Sequence, residues 1–282
     1  MQRTILIFGE PETGKSNYVG RSWLAVDDGR SSLRMARLPE DVDAVRALSS
    51  ALLEGDYCGR TNPASATKIL LDIVKNDHLG VPLGRLVLPD FSGEDLRRIY
   101  RSRQWLESWK ALFPTLHGWL VFVRGQYLDT CIDWAKAHEL GGALLKLSEG
   151  RELGDPSTDV LLVELNQLLT EEVEIQGITA PRVGVVISCW DCLPQEDQIA
   201  SPEQYLRDNL PLFWQFLKAR ESEMDVRIFG LSSTSGDLGD STFKDQFLRR
   251  PHEFGFVLSV GEDGVVTRSN DLAEPIRWAL EG

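Results

Sequence analysis

Gly9-Glu10-Pro11-Glu12-Thr13-Gly14-Lys15-Ser16 reads G-x-x-x-x-G-K-S, and the residues on either side of it decide the fold. Upstream, Thr4-Ile5-Leu6-Ile7-Phe8 is an apolar run with the length of a buried strand. Downstream, Asn17 to Ala25 can continue as a helix. A glycine-bearing turn between strand and helix aims successive backbone N–H groups, and the positive end of the helix dipole, at one spot. Such a nest suits phosphate oxygens. Lys15 is placed to reach the outer phosphates and the Ser16 hydroxyl to ligate Mg²⁺. Gly9, Glu10, Pro11, Glu12, Thr13, Gly14 and Asn17 supply the rest of the cradle. The stretch predicts a nucleoside-phosphate site.

Composition narrows the setting. A net charge of −13 over 282 residues opposes duplex nucleic acid as a partner, because phosphate contacts would form against a repulsive field. The sequence shows no signal-peptide pattern and no apolar run near membrane-spanning length, so no membrane association is expected. Cys58, Cys131, Cys189 and Cys192 are too few and too scattered for a disulfide framework, which points to a reducing cytoplasm. Cys189 and Cys192 have C-x-x-C spacing, but a zinc ribbon needs a second close pair. The spacing is read as incidental, with a redox role the lesser alternative.

Further along, Glu40 to Leu53 is a short amphipathic helix with Val42, Val45, Leu48 and Leu52 on one face. Lys68 to Val74 and Arg85 to Leu88 read as strands, and the short link through Asn76 to Gly80 makes them antiparallel. Helices are expected over Leu96 to Leu112, Val160 to Val173, Tyr205 to Lys218 and Asp271 to Leu280. Strands are expected at Trp119 to Val123, Val183 to Ile187 and Val226 to Phe229. The alternation predicts an α/β fold: a three-layer P-loop sheet, mostly parallel with one antiparallel edge strand, and helices on both faces. One domain over residues 1–282 is expected, with an insertion around 125–158 and a C-terminal extension over 240–282. The insertion carries its own helix, Leu128 to Leu140, and is either structural or a partner-binding surface.

Ligands of such sheets sit at the carboxyl ends of the strands, so the strand exits carry the chemistry. After the third strand comes Asp90-Phe91-Ser92-Gly93-Glu94. Asp90 is a carboxylate where Mg²⁺ or its water needs one, and Gly93 lets a backbone N–H approach a γ-phosphate. An Asx turn capping the next helix is the plainer reading of the same residues. The fifth strand exits into Ser188-Cys189-Trp190-Asp191, where the Asp191 carboxylate could accept from both N1–H and the 2-amino group of guanine. The sixth exits into Leu231-Ser232-Ser233, small residues able to present a backbone N–H to the base oxygen.

In this order the motifs resemble those of the small-GTPase superfamily. Gly9 to Ser16 matches its first motif and Asp90 to Gly93 its D-x-x-G. Ser188 to Asp191 stands where the family carries N-K-x-D, and Leu231-Ser232-Ser233 where it carries S-A. More narrowly, Asp90 to Glu94, Cys189 to Asp191 and the tail from Phe254 to Ile276 resemble the bacterial double-GTPase-type families. Those families are linked to GTPase-associated proteins in conflict or antiphage systems. The resemblance implies GTP and GDP as ligands, Mg²⁺ as cofactor, catalysis through Lys15 and Glu94, and protein partners in a multi-component complex.

Departures from the pattern matter too. Ser188 and Cys189 replace the usual Asn and Lys, which is expected to remove one tether of the base loop and the aliphatic cover over the base. Trp190 either supplies that cover or is core. Glu94 replaces the glutamine that orients the attacking water. The Mg²⁺-completing switch threonine has two candidates, Thr61, which is preferred, and Thr67, on a loop rich in Gly, Asn, Pro and Ser. Arg60 and Arg124 are the arginines to watch as a finger in cis, each more readily a solvated surface charge. His78, His117, His138 and His252 form no ligand-like cluster, so no metal beyond Mg²⁺ is assigned. Two other functions remain open: an AAA-type ATPase, whose loop resembles Glu10 to Ser16, and a nucleotide-binding pseudo-enzyme serving as an interaction module.

Overall fold

Six apolar or small residues in a row bury a strand on both faces, which only a central position in a covered sheet allows. Thr4–Gly9 is that strand, β1, and each of its residues is buried. The computed structural model describes residues 3–39, 42–58, 69–76, 82–89, 93–126, 156–261 and 263–281. Its other strands are β2 (Leu33–Met35), β3 (Ile69–Lys75), β4 (Pro82–Leu88), β5 (Leu116–Arg124), β6 (Arg182–Ser188), β7 (Asp225–Ser232), β8 (Phe256–Val260) and β9 (Val266–Ser269). They form one sheet in the order β2-β3-β4-β1-β5-β6-β7-β8-β9. The central five, β4 to β7, run parallel, with Leu6 beside Val87 on one flank and Trp119 on the other.

The expected mixed sheet is therefore present, and β3 pairs antiparallel with β4, Ile69 opposite Leu88. The strands β2, β8 and β9 extend both edges in antiparallel pairings. None of the three was assigned from sequence. β2 has only three residues, and β8 and β9 lean on the Gly261 to Gly264 turn rather than on a long apolar run.

Side chains alternate across the sheet with period two, giving two core layers. Ile5 and Ile7 pack with Tyr18, Trp23, Val45 and Ile276 on one face. They meet helices α1 (Lys15–Asp27), α2 (Val42–Leu53) and, at the chain's end, Glu274–Leu280. Leu6 and Phe8 face the other layer, with Leu96, Trp109, Leu165 and Phe213. That layer is made by α3 (Gly93–Ser102), α4 (Glu107–Lys110), α5 (Thr158–Ile175) and, past the surface turn α6 (Gln195–Ile199), which buries no residue, α7 (Pro202–Asn209) and α8 (Pro211–Ala219). The remaining helices are α9 (Ser241–Arg249) and α10 (Glu274–Leu280).

Three expected helices are shorter than the periodicity predicts. The run Leu96 to Leu112 breaks after Ser102, where Arg103 takes a positive φ of 51°, and α4 restarts with Trp105 stacked on Trp109 at 5.0 Å. The run Tyr205 to Lys218 breaks at Leu210, because the residue before Pro211 is pushed out of the helical region. Buried Asp159 then caps α8 from outside, accepting from the N–H groups of Leu212 and Phe213 at 3.0 and 2.7 Å. The last helix starts at Glu274 rather than Asp271. The Asp271 carboxylate is taken by Ser31, Ser32 and the Ala273 N–H, so it ties the helix start to the β2 edge. The expected helix Leu128 to Leu140, with Cys131, Trp134 and His138, lies outside the described residues.

Candidate functional site

β1 delivers the chain to the sheet's carboxyl end at Gly9, where a side chain has no room. A Cβ there would stand 2.3 Å from the Phe122 carbonyl oxygen on β5. Gly14, at φ 76°, turns the chain into α1 in a conformation that favours glycine. Glu12 takes a positive φ of 63° without that freedom, a local strain of the kind found at binding loops. Lys15 folds back under the loop. Its Nζ donates to the carbonyls of Gly9 and Glu10 at 2.8 and 2.6 Å and to Thr13 Oγ1 at 3.0 Å. Burial pushes the amine down to about 8, against the pull of the Glu10 carboxylate. Thr13 Oγ1 in turn donates to the Glu10 carbonyl at 2.8 Å.

The loop is braced by the neighbouring strand exits. Buried Ser188, at the end of β6, donates its hydroxyl to the Thr13 carbonyl at 2.8 Å, with the Val123 carbonyl at 3.2 Å. The expectation that serine here removes a tether is corrected: the shorter side chain reaches the P-loop backbone because the two segments lie close enough for one hydroxyl to span. Arg124, ending β5, donates to the Glu12 carbonyl at 3.1 Å, so it is a brace of the loop rather than a solvated charge. The Glu10 carboxylate turns to Thr158 at the start of α5, accepting its hydroxyl at 2.7 Å.

Beyond Ser188 the chain makes a tight turn. Cys189 sits at φ 56°, and a short 3-10 helix, Trp190–Cys192, follows. Trp190 is core: its ring meets Tyr205 edge-on at 5.6 Å and lies so close over Gly230 that a Cβ there would be 2.8 Å from it. It does not cover a base. Half-buried Asp191 faces the Cys192 thiol at 3.8 Å. Burial and the Asp191 charge push Cys192 up to about 12, and burial raises Cys189 as well. Protonated thiols are poor nucleophiles, which fits the incidental reading of the C-x-x-C spacing. In the next loop, buried Ser232 accepts the Ser235 N–H at 2.7 Å, and the Ser233 carbonyl accepts from Arg21 Nε at 3.0 Å.

The structure thus brings together residues 9–17, 188–191 and 232–233 at one end of the sheet. Gly93 opens α3. Asp90, Thr61, Thr67 and Arg60 lie outside the described residues, as does the Glu94 side chain. Among the described residues no three His, Cys, Asp or Glu side chains cluster as a metal site. No described helix is long and apolar enough to cross a membrane.

A family model described as Double-GTPase 1 matches residues 6–279. The chain belongs to this family. Double-GTPase 1 membership makes it a P-loop protein of the GTP-binding kind, as its motif order implies. Among solved structures it is similar to a probable GTP-binding protein engB, at 13% identity over 88% of this chain and 99% of that one, TM-score 0.34. It is also similar to the signal recognition particle receptor SRb-GTP/SRX complex of Chaetomium thermophilum, at 10% identity over 88% and 98%, TM-score 0.38. A third is an ADP-ribosylation-factor-like/SAR1 GTPase from Encephalitozoon cuniculi in complex with GDP, at 12% over 89% and 82%, TM-score 0.35. These overlaps are too loose to bear on chemistry. No curated protein matches the chain.

Two residues of this Double-GTPase 1 site escaped the sequence reading. Arg21, on the buried face of α1, donates to the carbonyls of Ser233, Pro251 and Phe254 at 3.0, 2.6 and 2.7 Å, and lies 5.3 Å from the Phe247 ring centroid. A lone arginine inside the run Tyr18-Val19-Gly20-Arg21-Ser22-Trp23 was its one signal. Tyr57 reaches the segment after the second base loop, and nothing in its local sequence announces that partner.

Proposed function

We propose that the chain is a Mg²⁺-dependent GTP-binding switch with slow intrinsic hydrolysis, acting as a single P-loop domain. The observation that carries the reading is the hydroxyl bridge from Ser188 to Thr13, which joins the phosphate loop to the turn bearing Asp191. Phosphate and base subsites are then parts of one braced unit. Gly9 to Asn17 would hold the phosphates, Asp191 would accept the two guanine donors, and Cys189, Ser232 and Ser233 would line the base. The donor set available for a metal is Ser16, Asp90 and Thr61 or Thr67, all hard oxygens, which suits magnesium. When bound, that ion neutralises charge on the β- and γ-phosphates.

The trapped Lys15 amine supports this reading. Its partners are carbonyls and a hydroxyl that could pass it to phosphate oxygens, a stronger charge-assisted contact. The resemblance to families linked to antiphage systems supports a role in a cytoplasmic, multi-component bacterial signalling or defence complex. Competition among ATP, GTP and xanthosine triphosphate for the purified protein, with and without Mg²⁺, tests the function. GTP is expected to win by at least roughly tenfold over ATP, the difference one lost hydrogen-bonded contact makes. Equal binding of ATP and GTP overturns the guanine assignment.

A further inference from the structure

Beyond the bonds that tie them to the end of α2, the residues Gly55 to Cys58 are held at three further places: α1, the loop at Asp237 and Leu238, and α9. The Cys58 N–H donates to Asn17 Oδ1 at 2.8 Å, and Asn17 directly follows the P-loop serine. The Tyr57 hydroxyl accepts the Leu238 N–H at 3.0 Å and donates to Asp237 Oδ1 at 3.1 Å. Asp56 pairs with Lys244 of α9 at 3.0 Å. Gly55 sits at φ 77°, a conformation that favours glycine, and the Lys244 stem packs directly over it. Beneath them Leu52, Leu238 and Phe247 form a third apolar cluster with Cys58, Phe243 and Phe254, separate from the two main layers.

This stretch therefore spans from the first turn of α1, at the phosphate end, to the chain just after Ser232 to Ser235. Tyr57 also lies within electrostatic range of Cys192, beside Asp191. A phenol suits the position because it donates and accepts at once, and burial pushes its ionisation up to about 12, which keeps the proton in place.

We propose that Tyr57 and the Asp56–Lys244 pair are positioning residues that clamp Gly55–Cys58 along the nucleotide's flank, so that residues 237–249 set how long a bound nucleotide stays. The proposal rests on the GTP-binding reading. A clamp along the nucleotide's flank must yield for entry as well as exit. Loosening it accelerates association and release together and leaves affinity nearly unchanged.

The test is stopped-flow release of a fluorescent (methylanthraniloyl) GDP from the full chain, beside hydrogen–deuterium exchange of peptides covering residues 54–58 in the nucleotide-free protein. Tyr57→Phe is expected to raise the release rate roughly threefold to tenfold, and Lys244→Ala up to about fivefold. Association should rise in proportion. Exchanging the charges, Asp56→Lys with Lys244→Asp, should restore the parent rate. If the parent binds the probe, and the variants deprotect the peptide yet release at the parent rate, the proposal is overturned while the nucleotide reading stands. A variant that weakens affinity with no faster association also overturns it, since that is the mark of a merely structural contact. If the parent binds no probe, the nucleotide reading fails and takes the proposal with it.

Discussion

The hydroxyl of Ser188 and the carbonyl of Thr13, 175 residues apart in sequence, meet at 2.8 Å and join the base-side turn to the phosphate loop. Gly14 beside it is favoured by its φ of 76° rather than by lack of space, since a Cβ there would lie at an ordinary 3.6 Å from the same oxygen. Ser188→Ala leaves the Thr13 carbonyl without this donor in a buried place. The expected cost is about 1 kcal/mol in stability, and GDP affinity should fall by roughly three- to tenfold. Calorimetric titration with GDP checks it, and Ser188→Thr, which keeps the hydroxyl, should lose much less.

Lys15 sets stability and binding against each other. Its folded-state amine ionises near 8, below the ordinary lysine value of about 10.4. Below pH 8 the amine is charged in both folded and unfolded chains, and the folded chain bears the burial cost. Between about 8 and 10.4 the unfolded chain binds the extra proton, so stability rises with pH in that window. Lys15→Met is accordingly expected to stabilise the nucleotide-free protein at pH 7 by about 1–3 kcal/mol while abolishing nucleotide binding. Phosphate favours the charged amine, so GDP affinity of the parent should fall as pH rises through 8. Urea unfolding at pH 7 and 10, with GDP titrations at both, reads each sign.

These two sites show what the sequence disclosed and what it withheld. Gly9 to Ser16 was legible because its chemistry is local: one strand, one turn and one helix fix the nest. The parallel core was legible because β1, β5 and β6 are buried on both faces and read as unbroken apolar runs. The brace at Ser188 was misread, because a short side chain tethers only if its partner lies near, and proximity across 175 residues is a tertiary fact. The break at Leu210 was hidden for a similar reason. Pro211 made it permissible, but Asp159, 53 residues away from Leu212, is what caps the second helix. Arg21 was passed over because its partners are main-chain carbonyls, which leave no pattern in side-chain identity.

Arg21 supports a further stability prediction. Its guanidinium serves three carbonyls, of which Pro251 and Phe254 lie just before β8, so α1 is bolted to the extension behind the second base loop. Arg21→Met keeps much of the apolar stem but strands those acceptors. A loss of at least about 3 kcal/mol is expected, with proteolytic cleavage appearing first between residues 233 and 255. Urea unfolding and mapping of the first cut check both, and a variant as stable as the parent would show that water replaces the guanidinium at no cost.

Asp191 is where base choice should be written. Its described side-chain partner is a weakly donating thiol, Cys192 at 3.8 Å, which leaves the carboxylate able to take stronger donors. Asp191→Asn puts a donor where guanine also donates, and xanthine accepts instead. Loss of the charge-assisted pair should cost GTP on the order of 2–4 kcal/mol, roughly one and a half to three decades of affinity, with xanthosine triphosphate gaining. Competition binding of both nucleotides to parent and variant decides it.

Turnover should be slow in the isolated chain. In-line hydrolysis needs a held water and positive charge facing the developing negative charge on the phosphates. The described arginines nearest the loop have other duties. Arg124 donates to the Glu12 carbonyl, and Arg21 is turned toward residues 233–254. By the resemblance to small GTPases, Glu94 would stand where a neutral amide both donates to and accepts from the water, whereas a carboxylate can only accept. Moving Arg124 onto a phosphate would break its bond to the Glu12 carbonyl and remove one brace of the loop that would hold the substrate. Single-turnover phosphate release with Mg²⁺ and no partner is therefore expected well below about 1 s⁻¹, the lower end for self-sufficient phosphoryl-transfer enzymes. Arg124→Ala should weaken nucleotide binding by roughly threefold to tenfold through the lost brace and leave the bound-state hydrolysis rate nearly unchanged. A parent rate at or above about 1 s⁻¹ that collapses in Arg124→Ala would instead make Arg124 the chain's own arginine finger.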